Sequence, residues 1–232
     1  MDKEKIFGVF GLGAFGMEIC RVLAEKGAEV VAVDKDQQTI EKIKNIVTQA
    51  VLMDSADEEA LKNAGLQDVD VAIVAIGDNI DASILTTIIL KNMGVPYIIA
   101  RAVSNIHAQV LKQIGATEVI NIQIEQGRRL ANRVSLHGVM DVIPISDNQL
   151  LVEVRVPSDF VGRSLSDLDL RKKLNINIIS VKRTKTEIDD MGNPRREESV
   201  FSPKPMDIFN VNDILVILGE QGDIDKLKEI IK

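Results

Sequence analysis

The sequence predicts a doubly wound, parallel α/β sheet followed by a smaller α+β domain. Up to residue 122, short apolar runs alternate with longer amphipathic runs, and strict alternation indicates parallel strands joined by right-handed helical crossovers. The short runs have no polar face, which is typical of strands that helices cover on both sides. Beyond residue 122 the alternation gives way to neighbouring strands, so we expect a second and different domain.

The elements of the first part can be placed from their residues. Ser55 and Glu58 have the spacing of a capping box, which predicts the start of a helix. Glycines follow four amphipathic runs where a helix commonly ends in left-handed backbone, at Gly27, Gly65, Gly94 and Gly115. The predicted strands are Ile6–Phe10, Glu29–Asp34, Ala50–Met53, Val69–Ile76, Tyr97–Ala102 and Glu118–Ile122.

The second part begins with a longer helix, predicted from Gln123 to His137. The polar segment Thr184–Glu198 contains Gly192-Asn193-Pro194 and predicts an exposed hairpin tip. The other predicted elements are the strands Val139–Ile145, Leu150–Val156, Asn175–Arg183, Ser199–Phe201 and Asp213–Leu218 and the helices Ser164–Leu174 and Asp223–Ile231. We therefore expect a first domain over residues 1–122, a linking helix over 123–138 and an α+β domain over 139–232.

Composition excludes several classes of protein. Of the 232 residues 45% are hydrophobic, which argues against disorder, and the net charge of -7 with 3% aromatics argues against a general nucleic-acid binder. Arg128, Arg129 and Arg133 form the nearest thing to a basic patch, and a solvated face or a subunit contact explains them. Cys20 is the single cysteine, a core thiol expected of a reducing cytosol. With no signal peptide or apolar span, we expect a cytoplasmic protein that reaches membranes only by docking.

The sharpest motif is the run Gly11-Leu12-Gly13-Ala14-Phe15-Gly16, which follows one predicted strand and opens a helix. Gly11 permits a tight turn, Gly13 lets the backbone approach a pyrophosphate, and Gly16 lets helix and strand pack closely. Asp34 ends the second strand and can accept hydrogen bonds from the ribose hydroxyls of an adenosine. A 2′-phosphate would be repelled there, so NADP is disfavoured. The first domain is therefore predicted to be a Rossmann-like nucleotide-binding domain.

Other strand ends should complete the site, because ligands of open α/β sheets bind outside the carboxyl ends of the strands. These ends supply Asp54-Ser55, Ile76-Gly77-Asp78-Asn79 and Arg101. Asp78 and Asn79 are equally explained as helix caps. Arg101 suits either a ligand phosphate or a structural carboxylate.

The chain offers no visible catalytic apparatus. Its two histidines, His107 on a predicted surface helix and His137 near the end of the linking helix, have no obvious partner residue. Tyr97 is followed four residues later by Arg101, whereas short-chain dehydrogenases have a lysine there. Metal-ligand spacing and a Walker lysine are both missing. We therefore expect neither a catalytic residue nor a metal site, and a function other than catalysis.

Several segments together resemble RCK domains, which regulate potassium conductance, and above all the KtrA/TrkA family. These are Gly11–Gly16, Val33-Asp34, Val74–Gly77, Asn79–Thr87 and Lys112–Ala116, and the run Ala-x-Ser-x-Leu-Thr-Thr is the most specific. The resemblance extends over the second half, which is similar to the C-terminal RCK subdomain.

The resemblance implies a regulatory subunit of a potassium uptake system, a dimer or an octameric cytosolic ring that contacts a membrane-embedded channel subunit. Adenine nucleotides, NAD(H) or ATP and ADP, would bind the first domain and change the shape of the ring. By position the site comprises Gly11, Gly13, Ala14, Phe15, Gly16, Asp34, Lys35, Asp54, Ser55, Ile76, Gly77 and Arg101.

The chain departs from the family pattern at two places. Ala14 stands where an arginine usually reaches the terminal phosphate, and Asn121-Ile122-Gln123 stands where His-Pro-Glu supplies a carboxylate near a cation. Both departures favour NAD(H), or binding without recognition of a γ-phosphate.

Some relatives bind cyclic di-AMP between their C-terminal subdomains, which implies a second effector site in this chain. It would be formed by Arg171, Asn177, Ile178 and Pro203. A helix-capping arginine and a strand-end asparagine explain these residues equally well.

Two other functions stay open. A small NAD-dependent oxidoreductase would need a proton donor, for which only Tyr97, His107 or Lys112 could serve. An NAD-responsive transcription repressor would need a basic helix-turn-helix unit, which neither half supplies.

Overall fold

A computed structural model describes residues 5–135, 139–188 and 194–230. Contacts along the chain divide it into two compact units, Met1–Ile124 and Glu125–Lys232.

The N-terminal unit contains a six-stranded parallel sheet in the order β3-β2-β1-β4-β5-β6. This order is that of a doubly wound sheet, as the sequence predicts. Its strands are β1 (Ile6–Phe10), β2 (Glu29–Asp34), β3 (Gln49–Leu52), β4 (Val71–Val74), β5 (Tyr97–Arg101) and β6 (Glu118–Ile120). Its helices are α1 (Ala14–Glu25), α2 (Gln37–Ile43), α3 (Glu58–Asn63), α4 (Ile80–Asn92) and α5 (Asn105–Gln113), and α6 (Ile122–Ser135) follows.

Helices cover both faces of this sheet, which explains why its strands have no polar side. Along β1, Phe10 packs into the core on one face and Val9 into the core on the other. The neighbouring pair Val74 and Ile73 divides between the two cores in the same way. Cys20 is fully buried among the second group, where burial raises its pKa to about 12. The predicted core thiol is confirmed.

The helix ends agree with the sequence at the glycines and disagree at Ser55. Gly27, Gly65, Gly94 and Gly115 all have left-handed backbone, with φ between 71° and 111°. The predicted capping box of Ser55 and Glu58 is wrong, because the Asp57 carboxylate accepts from the Ala60 amide (3.0 Å) and α3 starts later. The Ser55 hydroxyl does not cap α3 and instead lies 2.9 Å from the hydroxyl of Thr86.

The C-terminal unit contains a five-stranded antiparallel sheet in the order β10-β9-β11-β8-β7, so the α+β prediction is confirmed. Its strands are β7 (Val139–Pro144), β8 (Gln149–Arg155), β9 (Asn177–Ile188), β10 (Pro194–Phe201) and β11 (Ile214–Glu220). Its short helices are α7 (Leu165–Leu168) and α8 (Leu170–Leu174), and α9 (Gln221–Ile230) closes the described chain.

Two predictions for this unit were wrong in extent. The single helix expected over Ser164–Leu174 is broken at Asp169, whose φ is 46°. Most of the expected hairpin tip is strand, because Thr184–Ile188 pairs with Pro194–Glu198 in a two-stranded ribbon. Gly192 and Asn193 lie outside the described residues, as does His137. None of the described helices is long and apolar enough to cross a membrane.

Candidate nucleotide site

The carboxyl ends of the parallel strands surround a cleft of about 630 Å³. Residues predicted from the sequence that line it are Gly11, Gly13, Asp34, Lys35, Asp54, Ser55, Ile76, Gly77 and Arg101. The other predicted residues, Ala14, Phe15 and Gly16, lie in the first turn of α1 and are not among the lining residues. The fold thus brings most of the predicted set to one place.

The three glycines of the first loop have different surroundings. Gly11 has a φ of +91°, and a Cβ there would lie 2.8 Å from Cγ1 of Ile76. A Cβ on Gly16 would lie only 2.0 Å from the carbonyl oxygen of Gly11, so helix and loop touch at this point. Gly13 has nothing within 4 Å of a Cβ position, and it is one of the residues that line the cleft.

Helix α1 points its amino end at this loop. Gly13 is the N-cap and provides no side-chain hydrogen bond, and the first turn contains no acidic residue. The first amides of a helix have no partner within the helix and carry the positive end of its dipole. The loop is therefore suited to an anionic group such as a phosphate.

Asp34 connects the end of β2 to the glycine loop. Its Oδ2 accepts from the Leu12 amide (2.6 Å) and its Oδ1 accepts from the Asp36 amide (2.8 Å). A carboxylate has about four acceptor positions, so each oxygen can still accept a ligand hydroxyl.

Arg101 lies at the end of β5 with its guanidinium across the β4–α4 loop. Nη1 donates to the Ala75 carbonyl (3.5 Å), and Cζ lies 6.0 Å from the centre of the Phe15 ring. A Cβ on Gly77 would lie 2.6 Å from Cζ, so this placement needs glycine at position 77. Within the described residues no carboxylate pairs with Arg101, and its buried Nε has no hydrogen-bond partner.

The loops after β3 and β4 supply further polar groups. Ser55 is buried, and its hydroxyl lies 2.9 Å from that of Thr86 on α4. The Asn79 side chain accepts from the Ala82 amide (3.0 Å), so the capping role is confirmed, although Asn79 also lines the cleft. Asp78 lines the cleft without capping α4.

Some of the lining residues are not among the site residues predicted from the sequence. These are Leu12, Val33, Asp36, Thr39, Met53, Ala75 and Ala82. Most directly follow or precede predicted residues at the strand ends, so the same strand-end rule would have included them.

The candidate proton donors lie away from this cleft. His107 is only 3% exposed, so the predicted surface position is wrong. Its Nδ1 accepts from the Val103 amide (3.4 Å), and burial lowers its pKa. The Tyr97 hydroxyl donates to Glu118 (3.1 Å), and this hydrogen bond raises its pKa. Neither they nor Lys112 line the cleft.

The other residues that the sequence analysis named lie outside the cleft. Arg129 pairs with Asp141, which raises the pKa of Arg129 and lowers that of Asp141. The Asn121 side chain accepts from the Ile124 amide (3.1 Å) and does not line the cleft. Arg171 is exposed on α8, Asn177 and Ile178 begin β9, and Pro203 follows β10. No group of three or more His, Cys, Asp or Glu in the described chain is arranged to hold a metal ion.

Comparison with known proteins identifies the family. The model of the TrkA-N domain matches residues 7–122, and the model of the TrkA-C domain matches residues 151–232. The chain belongs to the KtrA/TrkA family of RCK-domain proteins. Within that family it is 39% identical to Ktr system potassium uptake protein C of Bacillus subtilis, over 99% of this chain and 97% of the relative. It is 34% identical to Ktr system potassium uptake protein A of Bacillus subtilis, over 97% and 96% of the two chains.

Solved structures of RCK domains share this fold. The GsuK RCK domain superposes with a TM-score of 0.68 at 16% identity, over 99% of this chain and 48% of that one. The GsuK channel bound to NAD gives a TM-score of 0.67 at 16% identity, over 100% of this chain and 40% of that one. The present chain thus spans less than half of those proteins, and the likeness shows the RCK fold.

Proposed function

We propose that this chain is a regulatory subunit of a potassium uptake system, which binds an adenine nucleotide and controls a separate membrane channel subunit. The observation that carries the proposal is that the glycine loop, Asp34 and Arg101 share one cleft at the carboxyl edge of the sheet. The names of its Ktr relatives support the potassium system, and the NAD-bound GsuK channel supports the ligand class.

Each part of the cleft has a task in this proposal. Asp34 accepts from the ribose hydroxyls, while the glycine loop and the first amides of α1 hold the phosphates. Arg101 supplies a cation that pairs with no carboxylate in the part of the chain that the structure describes. Ala14 offers no cation in the first turn of α1 to contact a γ-phosphate. The ligand is therefore NAD(H), or else ATP and ADP, which this position does not distinguish.

In the cell, the proposed subunit is cytoplasmic and reaches the inner face of the membrane through its channel partner, as a dimer or an octameric ring of identical chains. It neither inserts into the membrane nor binds nucleic acid. Cyclic di-AMP is proposed as a second effector in the C-terminal unit, at Arg171, Asn177, Ile178 and Pro203. Nucleotide shifts the ring between two states by binding them with different affinity.

A small NAD-dependent oxidoreductase is the competing function. It would need a proton donor beside the nicotinamide, and Tyr97, His107 and Lys112 do not line the cleft. A substrate-dependent change in NADH absorbance would favour that alternative.

Calorimetric titration with ATP, ADP and NADH tests the nucleotide site. We expect binding that Asp34→Ala weakens by about tenfold or more, because hydrogen bonds to a charged group are lost. Asp70→Ala is the matched control: Asp70 also accepts a backbone amide, that of Ile6 (2.9 Å), but outside the cleft. Binding by none of the three nucleotides, or equal binding by both variants, would contradict the proposal.

A further inference from the structure

A buried hydroxyl pair joins the cleft to helix α4. The Oγ of Ser55 lies 2.9 Å from the Oγ1 of Thr86. Ser55 follows β3 and lines the cleft, whereas Thr86 is fully buried in the middle of α4 and does not line it. The pair is therefore a direct polar contact between a cleft residue and the interior of a helix.

Packing alone gives no reason for a pair of hydroxyls at this point. Two hydroxyls bonded to each other in a core contribute little net stability, and apolar groups of the same shape would serve as well. The neighbouring Thr87 is equally buried, but its hydroxyl donates to the Ser83 carbonyl (2.7 Å) within α4. Of these two adjacent threonines, only Thr86 has its hydroxyl bonded to a residue of the cleft.

The direction of the Ser55–Thr86 hydrogen bond can respond to a ligand. Each hydroxyl has one proton and two acceptor positions, and either oxygen of this pair can be the donor. When Thr86 donates, the Ser55 proton is available to an acceptor in the cleft, such as a ribose, ring or phosphate oxygen or nitrogen. When Ser55 donates to Thr86, the Ser55 proton is not available to an acceptor in the cleft. A ligand that takes the Ser55 proton therefore fixes the hydrogen bond made by Thr86.

Helix α4 has other contacts with the cleft, all near its start. Its N-cap Asn79 and Ala82 in the first turn line the cleft, so an occupant can touch the helix start directly. Thr86 extends this connection by one turn, because residues four apart lie on the same face of a helix. The middle of the helix is thus connected to the cleft through Ser55.

We propose that the Ser55–Thr86 hydrogen bond couples occupancy of the cleft to the stability and position of α4, with Thr86 as a positioning residue. This inference rests on the proposed nucleotide site. It assigns regulation to that site: the nucleotide acts on α4 through Ser55, and Thr86 has no contact with the nucleotide itself.

Amide hydrogen exchange over residues 80–92, with and without saturating ATP or NADH, tests the coupling. In the unmodified protein we expect nucleotide to slow exchange along α4, since ligands suppress local opening of the elements that they hold. In Thr86→Val, which removes the hydroxyl at nearly constant shape, we expect affinity within about threefold of the original. Most of the slowing beyond the first turn of α4 should be lost.

Two variants separate coupling from general damage to the helix. Thr87→Val removes an equally buried hydroxyl that has no link to the cleft, and should keep the slowing. Thr86→Ser restores the hydroxyl and should restore the slowing.

Three results would overturn the inference. Equal slowing in Thr86→Val and Thr87→Val would show that the hydroxyl pair does not couple. Calorimetric binding without slowing of α4 in the unmodified protein would remove the coupling and leave the nucleotide site standing. Absence of calorimetric binding with both ATP and NADH would remove the nucleotide site and the coupling together.

Discussion

At the scale of single residues, the glycine loop shows how one residue type serves different purposes within six positions. Gly11 adopts a left-handed backbone conformation that other residues rarely adopt. Gly16 lies so close to the Gly11 carbonyl oxygen that there is no room for a side chain. Gly13 has ordinary backbone (φ −63°) and open space in front of it. Folding requires Gly11 and Gly16, whereas at position 13 the fold gives no steric reason for glycine, which is also a preferred N-cap residue.

This difference yields a paired prediction. Gly16→Ala should lower the free energy of unfolding by about 2 kcal/mol or more, because its Cβ would overlap the Gly11 carbonyl oxygen. Gly13→Ala should lower it by less than about 1 kcal/mol, since nothing is displaced and the only cost is that of a poorer N-cap residue. Its Cβ should nevertheless weaken nucleotide binding. Urea unfolding and calorimetry of both variants measure the two effects, and unchanged affinity in Gly13→Ala would contradict the assigned role of this residue.

At the scale of elements, the loop between β10 and β11 is held by a buried ion pair. Arg183 on β9 donates from Nε and Nη2 to the Asp213 carboxylate (2.8 and 2.6 Å), and from Nη2 to the Ile208 carbonyl (2.9 Å). Asp213 also accepts from the Asn210 amide (2.8 Å) and is 1% exposed. The hydrogen bond to the Asp213 carboxylate raises the pKa of Arg183. The loop is thus fixed to the sheet by polar contacts.

Removing one partner should be costly because the other stays partly buried without its counter-charge. Asp213→Ala should lower the free energy of unfolding by about 3 kcal/mol. Lys226→Ala is the control: its ion pair with Asp223 is largely exposed at the lysine, and its loss should cost less than about 1 kcal/mol. Urea unfolding followed by circular dichroism compares them, and equal losses would show that the buried pair does not stabilise the loop.

At the scale of the whole molecule, the groups whose pKa differs between the folded and unfolded chain make the free energy of unfolding depend on pH. Hydrogen bonds from Arg129, Ser164 and Lys226 lower the pKa values of Asp141, Asp167 and Asp223 respectively. Each contributes stability that is present above its unfolded pKa of about 4 and is lost as pH falls through the folded value. His107 acts at higher pH, because burial lowers its pKa from an ordinary value of about 6.5.

Between the folded and the ordinary pKa of His107, the unfolded chain binds more protons than the folded chain. The free energy of unfolding should therefore fall as pH decreases below about 7, by at most about 1.4 kcal/mol per pH unit. His107→Gln should reduce this slope between pH 7.5 and 5.5. Asp167→Asn should leave it unchanged, since that carboxyl titrates lower. Urea unfolding across this range tests both, and an unaltered slope in His107→Gln would contradict the assignment.

Agreement between sequence and structure depends on how local each signal is. The strands β1 and β2 have the predicted bounds, because their apolar runs and the glycine or aspartate that ends them are contiguous in the chain. The strands β9 and β10 are longer than the sequence predicts. Beyond Arg183 the two strands pair through backbone hydrogen bonds with each other, so this part needs no apolar side chains and has no apolar pattern. Asp169 broke the expected helix without a local warning such as glycine or proline.

The candidate site was largely predictable for a topological reason. Parallel strands in this order place all their carboxyl ends on one edge, so residues that follow strands converge there whatever their separation in sequence. The predicted surface position of His107 is wrong because His107 lies on the buried face of α5, four residues before the buried Leu111.

The sequence by itself determined the order of elements, the parallel sheet, the glycine loop with Asp34, and the family resemblance. These are features of residues close together in the chain or of a regular alternation. Only the tertiary structure decided that Ser55 bonds Thr86 instead of capping α3, that Arg101 lies over Gly77, and that Asp213 balances Arg183. The physical reason is that a buried polar side chain forms its hydrogen bonds with groups about 3 Å away. The fold determines which groups lie at that distance, and here they belong to residues distant in sequence.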